Sequence, residues 1–306
     1  MTKNKIIIGA RGSKLSLIQT EIVKQKLQRI LPDTEIEIKV ISTKGDKNMS
    51  PVPLDSIGKG WFTKEIDKEL LDGEIDLAVH SLKDLPEVLE EGLIISAIAD
   101  RDDPRDALVS KKNLSLEKLK KRAVIGTDST RRSSQLLNIR GDLKIKSLRG
   151  SVIKRLEKLE SGDYDAIVLA VAGLKRLGLE DRISEYFDAT EFIPAPGQGA
   201  LAVVSKKDNK ELNGKLKKIE QADALAAVEA ERAFSSSIGG GCKTPVGAYA
   251  ICKKNKLTLY GFVGSLDGRN LVRNYVSGNP KMATELGVEL ADKLIKRSKG
   301  WYSKGE

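Results

Sequence analysis

The chain has 306 residues, of which 40% are hydrophobic and 31% charged, and its formal net charge is +10. This is the composition of an ordinary globular protein with room for two or three domains, and its longest apolar run, AIVLAVAGL (166–174), is too short to span a membrane. Because 43 acidic residues are interspersed with the basic ones and aromatic residues reach only 4%, the charge forms no basic stripe or stacking platform for nucleic acid.

The first residues and the cysteines indicate the compartment. The segment before Arg11 is too short for a signal-peptide core and has no small-residue cleavage site. Two cysteines in such a chain favour free thiols over a disulfide framework. We therefore expect a cytoplasmic protein with neither a membrane nor a nucleic-acid partner.

The first two-thirds of the chain alternates short apolar runs with amphipathic stretches. Strands are predicted at 5–10, 35–41 and 75–80, with a helix that Ser13 caps and Pro32 ends and another within 62–73. After RDDPRDA (101–107) the alternation restarts. Strands are predicted at 123–126, 143–148 and 166–172, and helices from about Ser129 and over 152–160. The pattern predicts α/β architecture in two units, with parallel strands.

The pattern changes near residue 221. A helix over 222–234 leads into a glycine-rich loop, and strands are predicted at 246–252, 256–263 and 270–278. Pro280 then precedes a last amphipathic helix. This order predicts a small α+β domain at the end of the chain.

Three predicted strand-to-helix turns carry arginines near a helix start. Such turns bind anions, because the first N–H groups of a helix are unpaired and the helix dipole is positive there. The side chains in these turns are Arg11 and Ser13, then Thr127, Ser129, Arg131 and Arg132, then Arg149 and Arg155. We expect a cleft for several anions between the two units; helix caps with scattered surface charge are the alternative.

The segment AVHSLKDLP (78–86) places Ser81, Lys83 and Asp84 after a strand. An acid at the end of a parallel strand lies where α/β proteins bind ligands, and near arginines it suits a role in stabilising a cation or shuttling a proton. The alternative is an aspartate that bonds its own turn. With His80 as the only histidine, serine-type triads and multi-histidine metal sites are excluded.

The loop GGGCKT (239–244) resembles a phosphate-binding loop only superficially, because Cys242 stands where that motif requires glycine. A thiol beside Lys243 and close to basic clusters is a candidate nucleophile or attachment point. The residues alone predict a reactive or modified cysteine without naming the modification. Cys252, within a predicted strand, is expected to be a small core residue.

Nine segments in order resemble the porphobilinogen deaminase (hydroxymethylbilane synthase) family. They are ARGSKLSLIQ (10–19), TKGD (43–46), GKGWFTKEI (58–66), DLAVHSLKDLP (76–86), RDDPRDA (101–107), GTDSTRRSSQL (126–136), LRGSVIKRL (148–156), APGQGAL (195–201) and GGGCKTPVG (239–247). Each is weak alone, but nine in sequence make a chance match very improbable.

The resemblance implies a dipyrromethane cofactor, held by a thioether to Cys242, that primes the addition of four porphobilinogen units. Each addition releases ammonia, and hydrolysis then frees the linear hydroxymethylbilane. Asp84 would assist deamination and stabilise cationic pyrrole intermediates. Residues at matching cofactor- or substrate-binding places, or beside them, are Arg11, Ser13, Gln19, Lys59, Ser81, Lys83, Thr127, Ser129, Arg131, Arg132, Arg149, Gly150, Arg155, Ala170, Gly173, Arg176 and Gln198. No metal is implied.

The family fold implies two α/β domains like type II periplasmic binding proteins and a small α+β domain with the cysteine. Their expected bounds are 1–99 with 198–218, 100–197, and 219–306. We expect a monomer, with 49–60 as a mobile lid in which Lys59 meets substrate. The remaining alternative is a non-catalytic two-domain protein that binds anions or carboxylates.

The chain departs from the family pattern beside the arginines. Asp128 and Thr130 stand where the family usually has serine and leucine, and Ser151 and Lys154 where it more often has asparagine and threonine. A carboxylate at 128 is expected to weaken anion binding unless it points outward. These departures bear on affinity and rate rather than on the type of reaction.

Overall fold

The computed structural model describes residues 5–43, 63–239, 244–298 and 300–302. In these ranges the strands, numbered in chain order, are β1 (Lys5–Arg11), β2 (Glu35–Ile41), β3 (Leu77–Ser81), β4 (Leu93–Arg101), β5 (Asp106–Ser110), β6 (Val124–Gly126), β7 (Lys144–Lys146), β8 (Ala166–Ala170), β9 (Glu185–Tyr186), β10 (Ala200–Lys206), β11 (Val246–Lys253), β12 (Lys256–Gly264) and β13 (Leu271–Gly278). The α-helices are α1 (Lys14–Ile30), α2 (Lys64–Asp72), α3 (Thr130–Ile139), α4 (Val152–Glu160), α5 (Val171–Arg176), α6 (Lys210–Leu216), α7 (Ala222–Ile238) and α8 (Ala283–Arg297).

Residues Met1–Asp102 and Gly199–Leu225 form one compact unit, called unit 1 here. Its sheet has the order β2-β1-β3-β10-β4. The Ser13 hydroxyl caps α1 by accepting a hydrogen bond from the Ser16 N–H at 3.2 Å, as its position before the apolar repeat predicts. Helix α1 packs Val23 and Leu27 against Ile8 and Leu77 of the sheet, which forms the core of the unit.

Residues Asp103–Gln198 and Ala226–Glu306 form unit 2, which contains two sheets. The larger has the order β7-β6-β8-β5-β9. Helices α3 and α4 each begin after a serine whose hydroxyl accepts a backbone N–H, Ser129 from Arg132 and Ser151 from Lys154. Buried side chains from β5, β6 and β8 fill the core between these helices and the sheet.

Both large sheets are mixed, so the prediction of parallel strands is correct only in part. In unit 1, β1 is parallel to β2 and β3, but β10 is antiparallel to β3 and β4. In unit 2, β6 is parallel to β7 and β8, but β5 is antiparallel to β8 and β9. The antiparallel strands β5 and β10 follow loops rather than crossover helices, and only a crossover imposes the parallel direction. An apolar run does not encode strand direction.

The apolar run at 166–172 also differs from the prediction. The strand ends at Ala170, and helix α5 begins at Val171 without a gap. Val171, Ala172 and Leu174 are buried, so a buried helical turn and a buried strand carry the same apolar signal here.

The C-terminal part of unit 2 is an antiparallel sheet in the order β11-β12-β13, packed against α7 and α8. The two helices approach so closely that a Cβ at Gly287 would lie 2.6 Å from the Ala230 carbonyl oxygen. The predicted α/β class with a small α+β domain at the C-terminal end is thus confirmed. In the part of the chain that is described, no helix is long and apolar enough to cross a membrane.

Candidate functional site

In unit 1 the predicted acid follows the end of β3. The strand continues into a single helical turn, Leu82–Asp84, which closes with a hydrogen bond from the Leu85 N–H to the Leu82 carbonyl at 3.1 Å. Leu82 and Leu85 are buried and anchor the turn, whereas Lys83 and Asp84 are exposed. The fold therefore presents the Asp84 carboxylate to solvent on an anchored turn.

Other predicted residues of unit 1 meet at the same end of neighbouring strands. Strands β1 and β3 are parallel, so Arg11 at the end of β1 and Ser81 at the end of β3 lie at one edge of the sheet. The buried Gln19 of α1 donates from Nε2 to the Ser81 hydroxyl at 2.9 Å. With Ser13 at the start of α1, these side chains surround the carboxyl ends of two parallel strands, where open α/β sheets bind ligands.

His80 lies inside this region but is not available as a proton carrier at neutral pH. Burial and the neighbouring Arg11 guanidinium lower the pKa of His80 to about 4. Its Nε2 is buried and has no hydrogen-bond partner within the described residues. His80 is therefore an uncharged side chain in the interior of the sheet, close to the Arg11 guanidinium.

In unit 2, Arg131 and Arg132 converge on one carboxylate that the sequence analysis did not single out. Asp106, at the start of β5, accepts from Arg131 Nη1 at 2.6 Å, and from Arg132 Nη2 and Nε at 2.6 and 3.1 Å. Arg131 Nη1 also donates to the Ile193 carbonyl, and Arg132 Nη1 to the Val168 carbonyl, both at 2.9 Å. The two arginines are each only 6% exposed and Asp106 is 0% exposed.

The charges of this cluster do not cancel. Burial alone would raise the pKa of Asp106, but the Arg131 and Arg132 guanidinium groups overcome it and hold that pKa far below its usual range. Burial and the like charge of Arg132 lower the pKa of Arg131, although Asp106 opposes this. Two guanidinium groups thus share one carboxylate, and one positive charge remains in excess. A further anion would balance the cluster.

Gln198 joins the cluster from the loop that precedes β10. Its Nε2 donates to Asp106 Oδ1 at 3.0 Å and to the Pro104 carbonyl at 2.7 Å.

The sequence contained a signal for Asp106. An acid opens the apolar run DALVS, and all five residues of that strand are buried. A carboxylate in such a strand requires a cationic partner.

Two further side chains that the sequence analysis missed hold the loop that leads to Gln198. Gln135 donates from Nε2 to the Ile193 carbonyl at 3.0 Å and accepts the Ile193 N–H at 2.7 Å. The fully buried Glu231 of α7 accepts the N–H of Gly197 at 2.7 Å and that of Ala250 at 2.6 Å. No local motif marks Glu231, because its partners lie elsewhere in the chain.

The remaining predicted residues around α3 and α4 lie in two neighbouring turns. Thr127 accepts the Ser129 N–H at 3.1 Å, and Arg155 donates from Nε to the Gly150 carbonyl at 2.8 Å. Gly150 has a φ of 118°, a conformation that L-residues with side chains rarely adopt. Asp128 accepts a hydrogen bond from Arg149 Nε at 2.5 Å, so this departure from the family pattern lies towards an arginine and not outward.

Ala170, Gly173 and Arg176 lie at the end of β8 and in the short helix α5 that follows it. Ala170 precedes the first residue of α5, Gly173 is buried within it, and Arg176 is its last residue.

Lys59 and Cys242 fall outside the described residues. Cys252 lies in β11, as predicted, but it is half-buried and packs against the core of the C-terminal sheet and not within it. The described part of the chain contains no group of three or more His, Cys, Asp or Glu residues that could hold a metal ion.

Comparisons with known proteins cover nearly the whole chain. The family model described as porphobilinogen deaminase, dipyromethane cofactor binding domain, matches residues 6–214, and the C-terminal domain model of the same family matches 225–296. The porphobilinogen deaminase of Desulforamulus reducens is 46% identical over 294 residues, which are 96% of this chain and 95% of that protein. The Bacillus subtilis (strain 168) protein of the same name is 47% identical over 296 residues, 95% of this chain and 94% of that protein. Among solved structures, the methionine-binding protein MetQ aligns with a TM-score of 0.45 and 16% identity, over 74% of this chain and 91% of that one.

Proposed function

The chain belongs to the porphobilinogen deaminase family, and from this premise we propose how its residues divide the work of a hydroxymethylbilane synthase. The enzyme joins four porphobilinogen molecules head to tail, releases ammonia at each step, and hydrolyses off the linear tetrapyrrole. Every pyrrole unit carries an acetate and a propionate, so negative charge accumulates as the chain grows. Residues that hold carboxylates and a group that handles developing positive charge are both needed.

We propose that the dipyrromethane is attached through a thioether to Cys242 and that the arginines of unit 2 hold its carboxylates. The observation that supports this most is the pair Arg131 and Arg132, which share Asp106 as their one counter-ion among the described residues. An excess guanidinium charge, nine-tenths buried, fits a ligand that brings carboxylates of its own. A charge-assisted hydrogen bond contributes about 1.5–3 kcal/mol. When bound, the dipyrromethane supplies the pyrrole carbon to which the first substrate is joined.

The other predicted residues take the roles that their positions suit. Arg149, Arg155 and Arg176 are proposed to bind carboxylates of the cofactor and the growing chain, together with Arg11 and Lys83. Thr127 and Ser129, Gly150, Ala170 and Gly173, and Gln198 would complete these contacts in unit 2, and Ser13, Gln19 and Ser81 those in unit 1. Gln198 would also keep Asp106 in place through its Nε2. Lys59 is proposed to meet substrate from the segment 49–60.

Asp84 is proposed as the catalytic residue. Its exposed carboxylate, on a turn anchored by Leu82 and Leu85, can approach a substrate pyrrole nitrogen without moving the strand behind it. There it stabilises the positive charge that develops on the pyrrole as ammonia leaves, and it accepts or returns a proton at that nitrogen. His80 takes no part, because its pKa of about 4 leaves it uncharged at neutral pH.

Intact-mass measurement of purified protein tests the covalent attachment. Protein expressed with the pyrrole precursor present should carry one adduct that maps to Cys242, and acidic Ehrlich's reagent should give the colour of a dipyrromethane. Cys242→Ser should lose the adduct, whereas the matched control Cys252→Ser should keep it. Unmodified mass in the wild type would refute the attachment, and it is the result expected of a non-catalytic anion-binding protein.

A second experiment tests the role of Asp84. Asp84→Asn should retain the adduct and lose nearly all turnover, because the amide cannot stabilise a cation or take a proton. Turnover equal to that of the wild type would remove Asp84 from the reaction.

We further propose a cytoplasmic monomer that acts on porphobilinogen without a nucleic-acid or membrane partner. The interspersed acidic residues and the short apolar runs support this. The proposed domains are 1–99 with 198–218, 100–197, and 219–306. Light scattering coupled to size exclusion tests the monomer, and a mass of twice the chain would contradict it.

A further inference from the structure

Two of the arginine-bearing turns are neighbours in the larger sheet of unit 2. Strands β6 and β7 are parallel, with Gly126 opposite Lys146, so the segments that follow them leave the sheet side by side. The first segment carries Asp128 and the second carries Arg149. Their side chains meet across the gap between the two turns.

The Asp128 carboxylate holds the second turn at two points. Its Oδ2 lies 2.5 Å from Arg149 Nε, and its Oδ1 accepts the Leu148 N–H at 3.2 Å. Partial burial opposes ionisation, but hydrogen bonds from the Ser147 side chain and from Arg149 hold the pKa of Asp128 below its usual value. The side chains remain 22% and 35% exposed, so a solute anion can approach the pair.

We propose that Asp128 is an internal counter-ion for Arg149 that competes with the carboxylates of the bound pyrrole chain. The inference rests on the proposed function, in which Arg149 binds such carboxylates. Asp128 compensates the guanidinium charge when no substrate carboxylate is near. It therefore weakens the hold of Arg149 on the chain and favours movement and release of that chain.

The competition matters because the number of carboxylates on the bound pyrrole chain rises during the reaction. Each addition brings two more carboxylates past a fixed set of cations, and a site that bound every carboxylate tightly would retain the product. A partly exposed ion pair changes affinity by a modest factor, about twofold to fivefold. That factor is large enough to measure and small enough to leave the reaction intact.

The test is Asp128→Asn, which removes the charge and keeps one side-chain oxygen, for either the Leu148 N–H or Arg149 Nε. We expect the KM for porphobilinogen to fall about twofold to fivefold while kcat stays level or falls. Native mass spectrometry during turnover should show more enzyme with substrate units still attached. The matched control is Asp142→Asn, which removes a similar pair with Arg140 (2.8 Å to Nη2) beyond the C-terminal end of α3 and should leave KM unchanged.

A double variant shows whether the effect passes through Arg149. If Asp128 acts by competing for that guanidinium, adding Asp128→Asn to Arg149→Gln should leave KM at the value of the Arg149→Gln single variant. An unchanged or higher KM in Asp128→Asn, or the same decrease in Asp142→Asn, would overturn the proposal. These outcomes are measured with a wild type that is active and carries its adduct. A failure of the proposed function would instead appear as a wild type that lacks both the activity and the adduct, so the two failures are distinguishable.

Discussion

Replacing Asp106 by asparagine is the sharpest test of the arginine cluster. Asparagine has nearly the same shape but only one acceptor oxygen, and its amide group would face a guanidinium that is itself a donor. The change removes the single negative charge among Arg131, Arg132 and Gln198, all within hydrogen-bonding distance of Asp106. Two buried guanidinium groups would then face each other without a counter-ion.

The expected loss follows from burial. Asp106 is fully buried and both arginine side chains are 7% exposed, so water cannot replace the missing partner. Breaking a buried pair on one side costs about 3–5 kcal/mol of the free energy of unfolding. The pair of Asp103 and Arg105 offers a matched comparison, because its side chains are 16% and 41% exposed. Asp103→Asn should cost about 0–1 kcal/mol.

Urea unfolding followed by circular dichroism measures the difference. With a slope of about 3 kcal/mol per molar urea, Asp106→Asn should lower the unfolding midpoint by about 1–1.7 M, and Asp103→Asn by about 0.3 M or less. The fraction of protein that carries the covalent adduct should fall with Asp106→Asn as well, because the arginines lose their fixed position. Equal midpoints for the two variants would show that Asp106 does not hold the cluster together.

Three other variants test features of the fold. Because the pKa of His80 is about 4 when folded and ~6.5 when unfolded, the unfolded chain binds more protons between these values, and this residue makes stability rise with pH from about 4 to 6.5, by up to ~3 kcal/mol. Asp67, with a pKa raised to about 6, changes stability with pH in the opposite direction, so the contribution of His80 is measured by comparing the wild type with His80→Gln. Between pH 4.5 and 7 the urea midpoint of the variant should rise by less than that of the wild type. An equal rise in both proteins would contradict the buried neutral histidine. Glu231→Gln leaves one of two buried N–H groups facing a donor and should cost about 1–3 kcal/mol in urea unfolding; a midpoint equal to the wild type would show that these two bonds are dispensable. Gly287→Ala should lower the melting temperature because its Cβ would lie 2.6 Å from backbone, whereas Gly214→Ala, with nothing within 4 Å in helix α6, should not; equal shifts would argue against the close helix contact.

The sequence predicted the elements and the turns better than the contacts between them. The cap at Ser13 and the start of the helix after Ser129 were predicted, because a cap acts on its own helix three residues away. The partner of Arg131 and Arg132 was not, because Asp106 is distant in sequence and a carboxylate has no periodicity of its own. The arginines were expected to bind ligand anions near a helix start, and the anion that the structure shows on Arg131 and Arg132 is the Asp106 side chain of the same protein.

Strand direction shows the same limit. Strands β5 and β10 were not among the strands predicted from the sequence, although their apolar runs resemble those of the parallel strands, and the lack of a crossover helix before them is a sign of their reversal. Among the candidate residues, Asp84 was singled out by its position at a strand end and Gln19 by the family resemblance, whereas Glu231 could be found only from three-dimensional contacts.

The hydrogen bonds that Glu231 accepts from Gly197 and Ala250 bear on whether the C-terminal part of unit 2 could be separated from the rest of that unit. Helix α7 and strand β11 flank the segment with Cys242, and the same compact unit contains Arg131 and Arg132. The elements on both sides of that segment therefore belong to the same compact unit as these arginines, although they lie in separate stretches of the chain. A fragment that ended before α7 would leave Gly197 without its acceptor, so the C-terminal sheet is a structural support for the arginine-bearing sheet and not a detachable carrier of one cysteine.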